Sequence, residues 1–117
     1  MSDSIWGYQP TAGFIAGTDL TGWHVEATDG SIGKIDKHSD EVNSSYIVVD
    51  TGVWIFGKHV LLPAGTVKTV DLLEHRVYVD LTQEQIKGSP EFDKDKHLQD
   101  AGYHEQVGGY YQSHRRV

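Results

Sequence analysis

The chain has 117 residues, enough for one domain with a modest core, and its 38% hydrophobic and 23% charged residues exclude a fibrous or wholly disordered protein. The absence of cysteine excludes disulfides, thiolate nucleophiles and cysteine-held zinc, and is compatible with a reducing cytoplasm. Ten Lys and Arg against seventeen Asp and Glu give a formal charge of −7, which opposes binding to nucleic acid and to anionic membrane surfaces. Arg115-Arg116 is too small a basic pair to change that balance.

Residues 1–17 carry Gly7, Pro10, Gly13 and Gly17, which break every regular period and predict either a poorly ordered leader or an N-terminal arm laid against the barrel. Ile5, Trp6, Tyr8 and Phe14 are more apolar surface than a solvated tail carries, so the arm is expected to dock on this domain or on a neighbouring copy. Trp23, Val25 and Ala27 alternate with His24, Glu26 and Thr28, the period of two that marks a half-buried strand. Asp29-Gly30 then predicts a type I′ hairpin turn, after which the chain resumes as a second strand from Ser31 to about Ser39. Ile32 and Ile35 are three apart there, and a bulge or bend at Gly33 would turn both inward.

A polar connection, Asp40 to Ser44, leads to Tyr46-Ile47-Val48-Val49, a continuous apolar run expected of a strand covered on both faces. Val53-Trp54-Ile55-Phe56 either completes the core or forms a flap, or projects Trp54 and Phe56 as an association surface. Strands are predicted at Lys58–Leu62, stopped by Pro63 and turned by Ala64-Gly65, at Thr66 to about Leu72, and at Arg76–Leu81 with Val77, Val79 and Leu81 inward. Thr82-x-x-Gln85 is a capping box, so a helical turn should start at Thr82, end near Gly88 and close one barrel mouth through Ile86. Past Pro90, Asp93-Lys94-Asp95-Lys96 reads as a solvated linker. Tyr103, Val107 and Tyr110 or Tyr111 then recur at helical spacing. Gly108-Gly109 costs that helix about 2 kcal/mol, so it needs a surface to rest on.

Several of these segments together resemble the PRC-barrel family, the small β-barrel of the photosynthetic reaction-centre H subunit's cytoplasmic domain and of the ribosome-maturation factor RimM. The resemblance is carried by Gly22, Val25, Asp29-Gly30, Ile32-Gly33-Lys34-Ile35, the strand at 46–49 closed by Asp50, Lys58 through Gly65, and Val77 through Leu81. It covers roughly residues 18–92 and is nearest to stand-alone, actinobacterial-type bacterial members with a Tyr-Tyr tail. It implies an all-β, partly open barrel of about six strands with a short helix after the last strand and peripheral N- and C-terminal tails. The expected division is an arm at 1–17, the barrel at 18–92 with that short helix, and a tail at 93–117 that can hold a second, docked short helix. What the family shares is a scaffold and not a reaction. The reaction-centre member has a transmembrane helix and the ribosomal member an additional N-terminal barrel; neither feature is expected here, so neither specific role is expected either.

No chemistry announces itself in the side chains. The seven histidines form no His-x-His or His-Glu-x-x-His pattern and read as surface residues of the barrel. Asp93, Asp95 and His97 could converge on a cation, but the run lacks the twelve-residue EF-hand pattern. There is no Gly-x-Ser-x-Gly, and Gly30-Ser-Ile-Gly33 lies inside a hairpin rather than between a strand and a helix, so turn and bulge explain its glycines. The expectation is therefore a non-enzymatic interaction or assembly module without cofactor, forming a homo-oligomer with a dimer favoured, or docking on another protein. Its candidate contact residues are Trp54, Phe56, Trp6, Tyr8, Phe14, Tyr103, Tyr110 and Tyr111. The alternative is a small-molecule or metal-binding protein using His and Asp side chains at a barrel mouth. No apolar stretch approaches the roughly 20 residues of a membrane span, and a soluble, cytoplasmic location without membrane insertion is expected.

Overall fold

The computed structural model describes residues 5–15, 17–39, 44–52, 59–90, 92–93 and 100–114. Six strands form one sheet: β1 (His24–Ala27), β2 (Gly30–Ser39), β3 (Tyr46–Asp50), β4 (His59–Pro63), β5 (Val67–Asp71) and β6 (Arg76–Val79). Their order is β4-β3-β2-β1-β6-β5, which leaves β4 and β5 as edges and the barrel partly open, as the sequence implies. Every neighbouring pair is antiparallel except β1 and β6, which run parallel with Val25 opposite Val77.

One side of the sheet supplies most of the core, and β3 and β4 are buried on both faces, as the continuous apolar run at 46–49 leads one to expect. Val60 faces Val49 and Val49 faces Ile35; on the other side of the bend Val25 faces Val77 and Val77 faces Val70, and all six are buried. β2 can join both halves because it is bulged twice. The register slips between Ser31 and Gly33 against β1, and again between Ile35 and Lys37 against β3. The first slip is the bend anticipated at Gly33, and it brings both Ile32 and Ile35 inside. Gly33 has φ +145°, and a Cβ there would lie 2.1 Å from the Asp50 carbonyl oxygen.

The β1–β2 turn differs from expectation. Ala27 pairs with Gly30, so the turn residues are Thr28 and Asp29, and Asp29 is not at positive φ as a type I′ turn requires. The physical reason is that Asp29 is employed elsewhere. Its Oδ1 accepts from Gln83 N (2.9 Å), while Gln83 Nε2 donates to the Ser31 carbonyl (3.0 Å), tying the hairpin to α1 (Gln83–Lys87). The capping box stands: Thr82 Oγ1 accepts from Gln85 N (3.1 Å), and Gln85 Oε1 accepts from Thr82 N (2.9 Å). Ile86 is fully buried beneath it.

The two tails cover the two edges. The 3₁₀ turn Pro10–Ala12 packs on β5, and α2 (Ala101–His114) packs on β4, where Phe92 also forms a bridge with His59. Unpaired edges invite association with other chains, so covering them is part of the fold's stability in solution. Asp100 caps α2 by accepting from Gly102 N (2.9 Å) and Tyr103 N (3.2 Å). Tyr103, Val107 and Tyr111 then form its buried stripe, choosing Tyr111 over Tyr110 for the third position.

The arm is stitched in by its backbone. Gly65 N donates to the Ile5 carbonyl (2.7 Å), Ser45 N donates to the Trp6 carbonyl (2.8 Å), and Gln9 Nε2 donates to the Gly65 carbonyl (2.8 Å). Ile5 is buried, and a Cβ at Gly65 would lie 2.6 Å from its carbonyl oxygen and 2.8 Å from its Cα. Gly65→Ala is therefore expected to dislodge the arm at a cost of about 2–3 kcal/mol, read as a lowered urea midpoint. A midpoint equal to that of the parent chain would show that the arm contributes nothing to stability.

Candidate functional site

At one end of the sheet, each strand contributes one polar residue to a single row: His59, Asp50, Lys34, His24, Arg76 and Asp71 are successive partners across β4, β3, β2, β1, β6 and β5. Arg76 Nη1 is 2.9 Å from Glu26 Oε2, and His59 Nε2 is 3.8 Å from Asp36 Oδ2. The β5–β6 turn rises from this row. Its shape is fixed from both sides: Asp71 Oδ1 accepts from Leu73 N and Glu74 N (both 3.0 Å), and the His75 carbonyl accepts from His24 N (3.2 Å). His75 is the one non-glycine residue at positive φ (56°) among the described residues, and its ring stacks on Trp23 at 4.6 Å and 16°. What this rigid turn presents is apolar. Leu73 is 93% exposed and Leu72 38% at positions where turns usually carry Gly, Asn or Asp.

The opposite end, about 13 Å away along β3, gathers the arm and α2. The Trp6 indole lies over one face of α2, stacked on His104 at 5.3 Å and 19° and close against Gly108, where a Cβ would be 3.0 Å from Trp6 Nε1. Gly108, a cost to the helix in isolation, is what lets the indole approach. Tyr46 and Tyr103 meet the His104 ring edge-on at 5.5 and 6.3 Å. Beside them Trp6, Ser44, Ala101, His104 and Glu105 line an open cleft of about 420 Å³.

The candidate contact residues are distributed as follows. Trp6 is half-buried in the cleft floor, and Tyr8 and Phe14, also half-buried, stack on each other at 4.1 Å and 13°. Tyr103 and Tyr111 are in the core, with Tyr103 Oη donating to the Pro90 carbonyl (3.1 Å). Tyr110 is half-buried, its hydroxyl donating to the Gln85 carbonyl, and its ring meets Tyr111 edge-on at 5.0 Å. Trp54 and Phe56 lie outside the described residues. The chain's own arm and helix thus take up much of the aromatic surface that a barrel alone would leave over.

Sequence reasoning missed Leu72 and Leu73, which it read as the end of a strand and a connection. A pair of leucines beside Glu and His at a turn was the available signal. It also read the histidines as surface residues, which agrees with their exposure among the described residues, but it did not foresee that three of them organise structure. His38 Nε2 accepts from Leu20 N (3.1 Å) and lies 3.3 Å from Asp19 Oδ1, His75 holds Trp23, and His104 sits among three aromatic rings. Hydrogen bonds from Thr21, with His38 beside it, hold the exposed Asp19 carboxyl below its ordinary pKa. Burial pushes the phenols of Tyr110 and Tyr111 upward, Tyr111 far more. No three His, Asp or Glu side chains converge as metal ligands among the described residues, and of the Asp93, Asp95 and His97 set only Asp93 falls within them.

These features define a small, partly open β-barrel whose tails close its edges, with a rigid apolar turn at one end and an aromatic cleft at the other. No helix among the described residues is long and apolar enough to cross a membrane. The sequence matches no protein-family model and no curated protein. Among solved structures, the chain is similar to a 16S ribosomal RNA processing protein, RimM, of Pseudomonas aeruginosa, with a TM-score of 0.48 and 22% sequence identity over 60% of this chain and 47% of that one. The chain therefore spans about half the length of that protein.

Proposed function

We propose that the chain is a non-enzymatic protein-interaction module built on a PRC-type barrel, acting in the cytoplasm and associating with copies of itself. In this proposal the arm (1–17), the barrel (18–92) and the tail (93–117) act as one unit. The supporting observation is Leu73, almost fully exposed on a turn that Asp71 and His75 hold rigid. A preorganised apolar contact loses little conformational freedom on binding, which is what a docking element needs. The barrel interior is filled by its own Val, Ile and Leu side chains, which leaves the surface to carry function. The −7 charge favours protein over phosphate-rich partners.

Light scattering across a concentration series tests this. The full chain should show a mass that rises above one copy, and Leu73→Asp should lower it. So exposed a position should change folding stability by no more than about 0.5 kcal/mol, so that any lost association reports the surface. A single-copy mass at every concentration would overturn self-association.

A further inference from the structure

Resting on the self-association proposed above, we infer that copies exchange their N-terminal arms, so that residues 5–15 of one chain fill the groove that the same residues fill here on their own barrel. The groove is built to take an extended peptide. Two backbone donors, Gly65 N and Ser45 N, hold the carbonyls of Ile5 (2.7 Å) and Trp6 (2.8 Å), and the Gly65 carbonyl accepts from Gln9 Nε2 (2.8 Å). Two glycines make room for it: a Cβ at Gly65 would lie 2.6 Å from the Ile5 carbonyl oxygen, and one at Gly108 would lie 3.0 Å from Trp6 Nε1. Main-chain bonds beside side-chain seats, here a buried Ile5 and an indole stacked on His104, are how a fold recognises a strand-like peptide.

The same contacts name the occupant. The arm is the segment that fits this groove, and a second copy brings an identical arm. The chain also divides into a part that can leave and a part that stays. Leu20 is buried and its N–H donates to His38 Nε2 (3.1 Å), while Gly22 N donates to the Ile35 carbonyl (2.7 Å), so from Leu20 onward the backbone belongs to the barrel. Just before it, Gly17 stands at φ +90° with nothing within 4 Å of where a Cβ would be, and glycine takes either sign of φ readily, which makes it the hinge. Ile15, two residues earlier, is already exposed. Exchange remakes every arm contact between chains, and a two-fold pair fills both grooves and leaves no arm over, which stops assembly at two copies. It competes with closure of the arm on its own barrel, for which a short linker gives an effective concentration of about millimolar, so exchange gains as protein concentration rises.

The test uses full-length chains. In Gly65→Ala the groove is blocked and the arm intact; in Ile5→Asp the arm carries a charge where a buried side chain belongs and the groove is intact. Each variant alone should associate at least tenfold more weakly than the parent chain, since one half of the joint is lost. Mixed in equal amounts, the two should form a species of two chains, because the released arm of the first meets the uncovered groove of the second with no competition from closure. A second measurement needs no substitution. In an equal mixture of isotope-labelled and unlabelled parent chain at high concentration, a nuclear Overhauser contact between Ile5 and Gly65 should appear between differently labelled chains. Where circular dichroism shows either variant unfolded, the labelled mixture alone decides. A parent pair whose Ile5–Gly65 contact stays within one chain, folded variants that associate as well as the parent, a mixture of folded variants that stays at one copy, or growth past two copies would each overturn arm exchange while leaving self-association standing. A parent chain that never exceeds one copy would overturn both.

Discussion

Gly33→Ala is expected to leave little folded protein. The new Cβ would sit 2.1 Å from the Asp50 carbonyl oxygen and 3.0 Å from both the Asp50 carbonyl carbon and Thr51 Cα, all backbone atoms of a paired strand that no rotamer change can move. The φ of +145° adds a conformation that a side chain disfavours. Relieving the clash means separating β2 from β3 in the middle of the sheet, where Ile35, Val48 and Val49 are buried. The cost should be about 4 kcal/mol or more against the 5–15 kcal/mol that holds a domain together. Gly109→Ala is the control: nothing lies within 4 Å of that Cβ, and alanine should stabilise α2 by about 0.5–1 kcal/mol. Thermal melts followed by circular dichroism compare the two. A Gly33→Ala midpoint equal to that of the parent chain would mean that β2 and β3 do not pair as described.

Tyr111→Ala should cost about 3–5 kcal/mol, the range for emptying a large buried aromatic site. Tyr111 heads the largest fully buried side chains of the protein, and it anchors the end of α2. Its loss should free that helix and uncover β4, seen as faster amide exchange across 101–114. Tyr111→Phe separates packing from the hydroxyl and should cost about 1 kcal/mol or less. A pH series adds a signed test. Burial raises the Tyr111 phenol above its ordinary value near 10, so the stabilisation it lends is complete below pH ~10 and is lost as alkali forces the phenolate. The part of alkaline unfolding due to this group should vanish in Tyr111→Phe. A Tyr111→Ala stability within about 1 kcal/mol of the parent would show that α2 rests on the barrel by other contacts.

What the sequence discloses is what neighbours along the chain decide. Alternation at 23–28 and 76–81, the apolar run at 46–49, the paired isoleucines around Gly33 and the Thr82–Gln85 box all depend on residues within a few positions of one another. Each appears in the structure. The parallel pairing of Val25 with Val77 has no local signature, because it joins strands some fifty residues apart. Asp29 was misassigned for the same reason: its preference for a turn is local, and its bond to Gln83 is not. Gly108 looked like a liability because its benefit comes from Trp6, about a hundred residues earlier. The site was less legible than the fold. Leu72 and Leu73 have the composition of a core segment, and besides the local bonds to Asp71 it takes the distant partners of His75, Trp23 and His24, to fix the turn that carries them outward.

The covering of β4 also sets a time order on the ribosome. β4 is complete at Pro63, but its cover arrives with Phe92 and the helix that ends at His114, about 50 residues later. At ~5–20 residues per second, that edge waits roughly 3–10 s for its guard. The buried anchors Tyr103, Val107 and Tyr111 lie among the last described residues to be made. Synthesis halted before residue 101 would release a chain whose β4 edge lacks its helix, so the segment that closes this edge also decides whether a nascent copy stays single long enough to fold.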